Sequence, residues 1–547
     1  KIPLCLIVPI LSKDQTDKNN ATGDAPERNG EITLSFTNST LVTGAELYNG
    51  NTKVADISTN NQIIKVVIVD SSGQVDKYYH HSNVALEQAN TLYLTKEQYK
   101  SLKIQHAEDN DTNIQINIGV TSYEVNDNGE PLFKNSSYDD NNNSNLYKNS
   151  NATMTVVIKP VTDDIELKFD TNSMKYSELQ ANGKFVTKDI LGTISSSNPN
   201  SNKDDTFTLN NTIKEGDGAI NLQSILSATS GALNGLNGTK ADLDGSEIRT
   251  YKISDIPAGT VIVLDGKSYT VQDGKTSIEI PFPNNTKADP TFTMKFPENF
   301  SGEVKATITL SVIDKGVEEK NDSTKWGETK EETVYLNLNV TPVADDATVK
   351  VGQPVGYEDA GREKDKSGAI TNPEKGIVLP ITVTSTDKDG SETFTVTIKD
   401  IPDGGAIFVK EPLTGKDILV TYAEDGTPTI KVWNNGVLED YTGTTITANK
   451  GTITIEKFDN ENPPKFIPPH NEHGDFKLNV DAKTVDTVII DGQPVTNVQD
   501  VATNKDILVV VKDVADSVVG NDYNKENLSL ADGTNKDYNL VTQEDTQ

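Results

Sequence analysis

Two hexapeptides in this 547-residue chain carry three carboxylates each within a turn-forming Asp-Gly context: Asp242-Leu243-Asp244-Gly245-Ser246-Glu247 and Asp387-Lys388-Asp389-Gly390-Ser391-Glu392. Carboxylates this close repel one another unless a cation lies between them, and Ca2+, which takes six to eight oxygen ligands, suits the pattern. Three carboxylates make half of such a site. An EF-hand would close its loop with an acid at position 12, but that position holds Ile253 and Ile398, so the EF-hand is excluded. The missing ligands must come from elsewhere in the fold. Paired acids precede each hexapeptide, at Asp163-Asp164 and Asp345-Asp346, each behind a strand-like run and a Pro-Val step. A further acidic element lies between pair and hexapeptide: Glu215-Gly216-Asp217-Gly218 in one case, Glu358-Asp359-Ala360-Gly361 in the other.

A single copy of any of these would be read as a solvated turn. Recurrence in register is what separates the set from that reading. Ile253-Ser254-Asp255-Ile256-Pro257 and Ile398-Lys399-Asp400-Ile401-Pro402 follow the two hexapeptides at the same spacing, so that the two copies stay offset by 145 residues throughout. A third linker, Asp513-Val514-Ala515-Asp516, comes 171 residues after the second, with Glu544-Asp545 behind it. These are domain-sized periods. They divide the chain into repeats at 161–342 and 343–512, the start of a further repeat at 513–547, and a degenerate repeat at 13–160. In the degenerate repeat Asp70-Ser71-Ser72-Gly73-Gln74-Val75 stands where the hexapeptide belongs, with Ser72 and Val75 in place of two acids. Residues 1–12 read as the end of a preceding domain or as a leader, because Leu6-Ile7-Val8-Pro9-Ile10 repeats the strand-and-proline pattern of the linkers.

The elements that must position these acids are strands. Val304, Ala306, Ile308, Leu310 and Val312 alternate with polar residues, as do Val334, Leu336, Leu338 and Val340. Such a period of two buries one face of a sheet. Asp265-Gly266 between Val261–Leu264 and Ser268–Val271 predicts a type I′ hairpin. Many short strands with Asp-Gly and Asn-Gly punctuation indicate tandem β-sandwiches. At 170 to 180 residues the repeats exceed a plain sandwich, and the extra length is expected in polar stretches at 139–144 and 195–205.

Composition narrows the function classes. With 50 Lys+Arg against 82 Asp+Glu the net charge is −32, a field that repels nucleic acid and attracts calcium. Cys5 is the single cysteine, so neither an internal disulfide nor a cysteine-based zinc site stabilises the chain. No run approaches the roughly 20 apolar residues of a spanning helix, so direct membrane insertion is not expected. His470-Asn471-Glu472-His473 sits among prolines and reads as an exposed loop. No Gly-x-Ser-x-Gly elbow, phosphate-binding loop or His-Glu-x-x-His motif is present, and an enzyme is not expected.

Pro-Val-Ala-Asp linkers, a Glu-Asp element, and Asp-x-Asp-Gly-Ser-Glu followed by Ile-x-x-Ile-Pro resemble the tandem extender repeats of giant bacterial RTX-type adhesins. The resemblance covers residues 161–547 well and the first repeat weakly. It implies calcium-binding immunoglobulin- or cadherin-like sandwiches strung end to end in an elongated array at the bacterial cell surface. It places ligands at Asp163, Glu215, Asp217, Asp242, Asp244 and Glu247 in the second repeat, and at Asp345, Glu358, Asp359, Asp387, Asp389 and Glu392 in the third. Asp164 and Asp346 join them as the second members of the linker pairs.

The expected function is therefore an extracellular stalk segment, rigidified by calcium at its domain junctions and supporting cell adhesion or biofilm formation. Its expected partners are calcium ions, neighbouring repeats and, in a fibre, other copies of the chain. A filament or surface-layer subunit and a glycan-binding module are the rival readings. On the sequence alone the linkers are equivalent, and each is expected to loosen when the ion is removed.

Overall fold

The structure, a computed structural model, describes residues 4–5, 27–36, 44–58, 61–86, 88–107, 110–132, 146–196, 205–230, 233–234, 246–282, 291–317, 321–363, 368–387 and 390–514. Asp242, Asp244, Asp389, Asp516, Glu544, Asp545 and the Asn-rich stretch 139–144 lie outside the described residues. The fold is all-β, a tandem series of immunoglobulin-like sandwiches whose described residues form three large hydrophobic cores, spanning Ile32 to Val156, Leu167 to Val340 and Ala347 to Val511, with a smaller cluster of Ala406, Phe408, Leu419 and Ile467 beside the last. We call the three bodies units one to three.

Alternation builds each core. In strand Gly302–Asp314 every second residue from Gly302 is buried, and its antiparallel partner Lys330–Thr341 does the same. Unit three repeats this pair with Gly474–Ile490 and Thr503–Lys512. The predicted hairpin is present: Val261–Leu264 pairs with Lys267–Thr270 across Asp265 and Gly266, both at positive φ (47° and 77°) as a type I′ turn requires. The internal homology reaches the backbone, since Asp255 and Asp400 of the two Ile-x-Asp-Ile-Pro motifs share a left-handed φ of 60°.

In units two and three a short strand runs parallel to the last long strand. Ile213–Lys214 pairs with Val340 and Thr341, and Val355–Tyr357 pairs with Val510 to Lys512. Unit two also carries an insertion that the sequence did not reveal. Hairpin Ser173–Leu179/Phe185–Ser195 pairs on one side with Ile220–Asn221 and on the other with Thr206–Leu209, joining the edges of two sheets. Extra length was also expected at 195–205, of which residues 197–204 lie outside the described residues.

Unit one places Ile32–Phe36, Ile63–Val69 and Ile114–Glu124 in one sheet and Ala45–Asn49, Thr52–Ile57 and Leu102–Gln105 in the other. Leu4–Cys5, in the segment read as a preceding domain or leader, pairs with Leu102–Gln105 and so joins unit one's sheet here. Asp70 closes a turn by accepting the Ser72 and Gln74 amides. Among the described residues no helix is long and apolar enough to cross a membrane.

His80 is buried in unit one at 1% exposure. Its Nε2 accepts the Ile68 amide at 2.8 Å while Nδ1 lies 2.9 Å from the Gly30 carbonyl, which defines a neutral ring protonated on Nδ1. Burial lowers its pKa, outweighing the two carbonyls. A histidine held neutral in the fold but free to protonate when unfolded contributes stability above about pH 6.5 that is lost as pH falls. Protection of the Ile68 amide against hydrogen exchange, corrected for intrinsic rate, is expected to fall between pH 7.5 and 5. Constant protection over that range contradicts the assignment.

Candidate metal centre

At the end of unit two the parallel strand positions an acid by backbone geometry. One rung beyond Lys214, the Glu215 amide donates to the Thr341 carbonyl at 2.9 Å, extending the ladder to the point where the chain leaves the unit. Two residues later, the linker amide of Val343 donates to Glu215 Oε2 at 3.0 Å. The carboxylate therefore sits on the linker, facing unit three.

Unit three supplies the other side. Glu392 opens strand Glu392–Lys399 directly opposite Asp486 on Gly474–Ile490. Directly opposed residues of an antiparallel pair project from the same face, where like charges destabilise. Asp486 is fully buried, at 0% exposure. Asp387 follows strand Ile381–Thr384, its amide donating to Ser385 Oγ at 3.0 Å. Carboxylate oxygens of Glu215, Asp387 and Asp486 all lie within 4.8 Å of one another, with Glu215 and Asp387 half-buried. Around them the linker is tied down: the Asp345 amide donates to Glu392 Oε1 at 2.9 Å, Thr386 Oγ1 donates to Asp345 Oδ2, and Gln499 Nε2 donates to Asp346 Oδ1 at 3.0 Å.

Two unit charges at that separation repel by roughly 3.5 kcal/mol at an effective dielectric constant of about 20, and three carboxylates make three such pairs. The acids respond accordingly. Burial, opposed by the Val343 amide and reinforced by the charges of Asp486 and Asp387, pushes the Glu215 carboxyl up to about 8. Burial also raises Glu392. With oxygen donors alone and no imidazole or thiolate, the set fits a hard cation such as Ca2+.

The structure regroups the acids that the sequence assigned repeat by repeat. Glu215 joins Asp387 of the following repeat instead of its own. Glu358, expected beside Asp345 and Asp387, occupies the same ladder position at the far end of unit three, where its amide donates to the Lys512 carbonyl and its Oε1 accepts the Val514 amide at 2.6 Å. The physical reason is the parallel strand, which carries this acid to the end where its unit stops. His473, an exposed turn residue, lies 3.4 Å from Glu358 through Nδ1. Asp217 spends both oxygens on the amides of Leu179 and Lys214, closing the turn beneath the inserted hairpin. Asp359 sits in the turn after Glu358, its carbonyl accepting the Arg362 amide.

The sequence reading missed Asp486, yet a signal was there. Leu478, Val480, Ala482 and Thr484 occupy the inward phase of their strand, and the next inward position holds an acid. Unit two does the same, with Asp314 following Val312 and facing Glu247.

At the junction of units one and two the counterparts meet different partners. The Asp163 amide donates to Glu247 Oε1 at 3.2 Å, matching Asp345 and Glu392. The Val161 amide, however, donates to Asp314 Oδ2 at 3.1 Å, and the Gly316 amide to Asp314 Oδ1 at 2.9 Å. Asp164 pairs with Lys330 at 2.6 Å.

No protein-family model matches the chain, and no curated protein sequence matches it. Among solved structures, a protein named "BspA_C_WT" aligns at 8% identity over 58% of this chain and 99% of its own, with a TM-score of 0.14. A point variant of BcpA, the major pilin subunit of Bacillus cereus, aligns at 9% identity over 89% of this chain and 99% of its own, with a TM-score of 0.17. Murine CEACAM1b aligns at 8% identity over 48% and 85%, with a TM-score of 0.12. At these scores they carry no argument about the site.

An acid whose folded pKa is raised leaves the folded state holding the extra proton, so its contribution favours folding at low pH and is lost as pH rises from the unfolded value near 4.5 through about 8. In chelator, the unfolding midpoint of units two and three is therefore expected to drop between pH 6 and 9. Glu215→Gln, which retains an acceptor for the Val343 amide but holds no titrating proton, is expected to flatten that drop. An equal drop in wild type and variant contradicts the electrostatic assignment.

Proposed function

We propose that the chain is a stalk-like structural segment of an extracellular bacterial surface protein, in which Ca2+ at a unit junction converts a flexible linker into a stiff one. One observation carries this reading: Glu215 arrives from one unit, Asp387 and Asp486 from the next, and their oxygens converge to within 4.8 Å. An ion bound there would supply positive charge to carboxylates from two bodies and so tie them together. Asp345, Asp346 and Glu392 hold the linker against that centre, and Glu358 offers the same upstream half at the end of unit three. Adhesion to a surface, or biofilm formation, would then depend on a segment that holds other parts of the protein away from the cell.

Extracellular calcium is compatible with such a site, since extracellular modules bind in roughly the 0.1 to 1 mM range. An ion bound to the folded state alone adds about 2.7 kcal/mol at 100 times its Kd. The intact chain is therefore expected to melt several degrees higher in calcium than in chelator, with small-angle scattering showing a longer maximum dimension. Asp486→Asn is expected to lose most of both responses. Superimposable melting and scattering curves in calcium and chelator would sink the proposal.

A further inference from the structure

We infer that the two junctions are joints of different kinds: the one between units two and three is closed by the cation, whereas the one between units one and two is closed, among the described residues, by hydrogen bonds to its acids and keeps its angle when the cation is removed. This rests on the calcium reading above and refines it, because the sequence treats the two linkers as equivalent.

The contrast starts from one amide. Val161 and Val343 hold the same place in their linkers, directly after Pro160 and Pro342. Val343 donates backwards, to Glu215 of the unit it has just left. Val161 donates forwards, to Asp314 of the unit it is entering. The difference follows from the upstream unit. Unit two ends its short parallel strand with Glu215 on the last rung, while among the described residues of unit one no acid takes the Val161 amide.

The consequences differ in sign. At the second junction the upstream carboxylate is brought against the downstream pair Asp387 and Asp486, so without a cation the units repel at the point of contact. At the first junction Asp314 also faces an acid, Glu247 of its own unit, but the linker brings a hydrogen-bond donor to its carboxylate. Asp314 accepts Val161 and Gly316 amides on its two oxygens, its own amide donates to Thr162 Oγ1 at 3.0 Å, and its carbonyl accepts the Gly327 amide. Asp111 of unit one, 6% exposed, accepts the Val317 amide of unit two at 3.1 Å, a bond that crosses the junction. Hydrogen bonds from amides to ionised carboxylates are among the stronger ones and need no metal.

The test uses the intact chain with Cys5→Ser, so that engineered cysteines carry the only spin labels. Pairs at exposed turn positions Asn51 and Asp273, and at Asp273 and Glu424, report the first and second junctions separately by electron–electron distance measurement. On moving from calcium to chelator, the 273/424 distribution is expected to widen at least twofold while the 51/273 distribution stays unchanged. Glu215→Gln is expected to make the 273/424 distribution insensitive to calcium, and Asp314→Ala to widen 51/273 in both conditions. Widening of both pairs in chelator would overturn the inference while leaving calcium-dependent stiffening intact. If neither pair responds although calcium raises the melting temperature, the ion binds without acting as a joint and the inference fails. If neither pair responds and melting is also unchanged, the calcium reading fails with it.

Discussion

The arrangement of units two and three turns on a repulsion. Folding each unit separately places Glu215 at the end of one ladder and sets Asp486 beside Asp387 and opposite Glu392 on the inward face of another, so unit three already gathers acids before Glu215 of unit two is brought against them. The meeting of the two bodies adds Glu215 to within 4.8 Å of the other two carboxylates, a configuration that protons or a bound divalent cation would relieve in large part. The cost is met where two folded bodies touch, so the energy of the interaction is converted into control of their relative position.

The rest of the architecture serves that placement. A parallel strand as short as Ile213–Lys214 contributes little to a core, yet it determines how far along the last strand the acid travels. The long antiparallel pairs do the complementary task, setting Glu392 opposite Asp486 and Glu247 opposite Asp314 by register alone. A one-residue slip would turn every inward side chain of these strands outward, so the apolar positions that build the core also hold the acids in phase. Contacts away from the centre add to the same interface: the Asp491 amide, in the turn after Ile490, donates to Glu303 Oε1 of unit two at 2.6 Å, and Asn339 Nδ2 lies 3.4 Å from Asp491 Oδ2.

Much of this was legible in the sequence where it depended on local pattern. Alternation along Val304 to Val312 specified strands, Asp265-Gly266 specified its hairpin, and the constant offset between hexapeptides specified repeats. What could not be read was which repeat each acid serves. Glu215 and Asp387 are 172 positions apart, and only the parallel ladder with Thr341 reveals that the former points forward to the next unit. Asp486 stands alone in its sequence neighbourhood, with no motif around it, and becomes conspicuous only once strand phase and burial are considered together. The inserted hairpin of unit two escaped for a different reason: Phe185–Ser195 is largely exposed, so it lacks the apolar alternation that marks a core strand.

The most direct test of the account is crystallographic. A crystal of the intact chain grown in calcium and soaked in a lanthanide should give anomalous density between the carboxylates of Glu215, Asp387 and Asp486, within about 2.3 to 2.6 Å of their oxygens. Ordered carboxylates at these positions with no anomalous peak between them, at a lanthanide concentration far above the expected Kd, would contradict it.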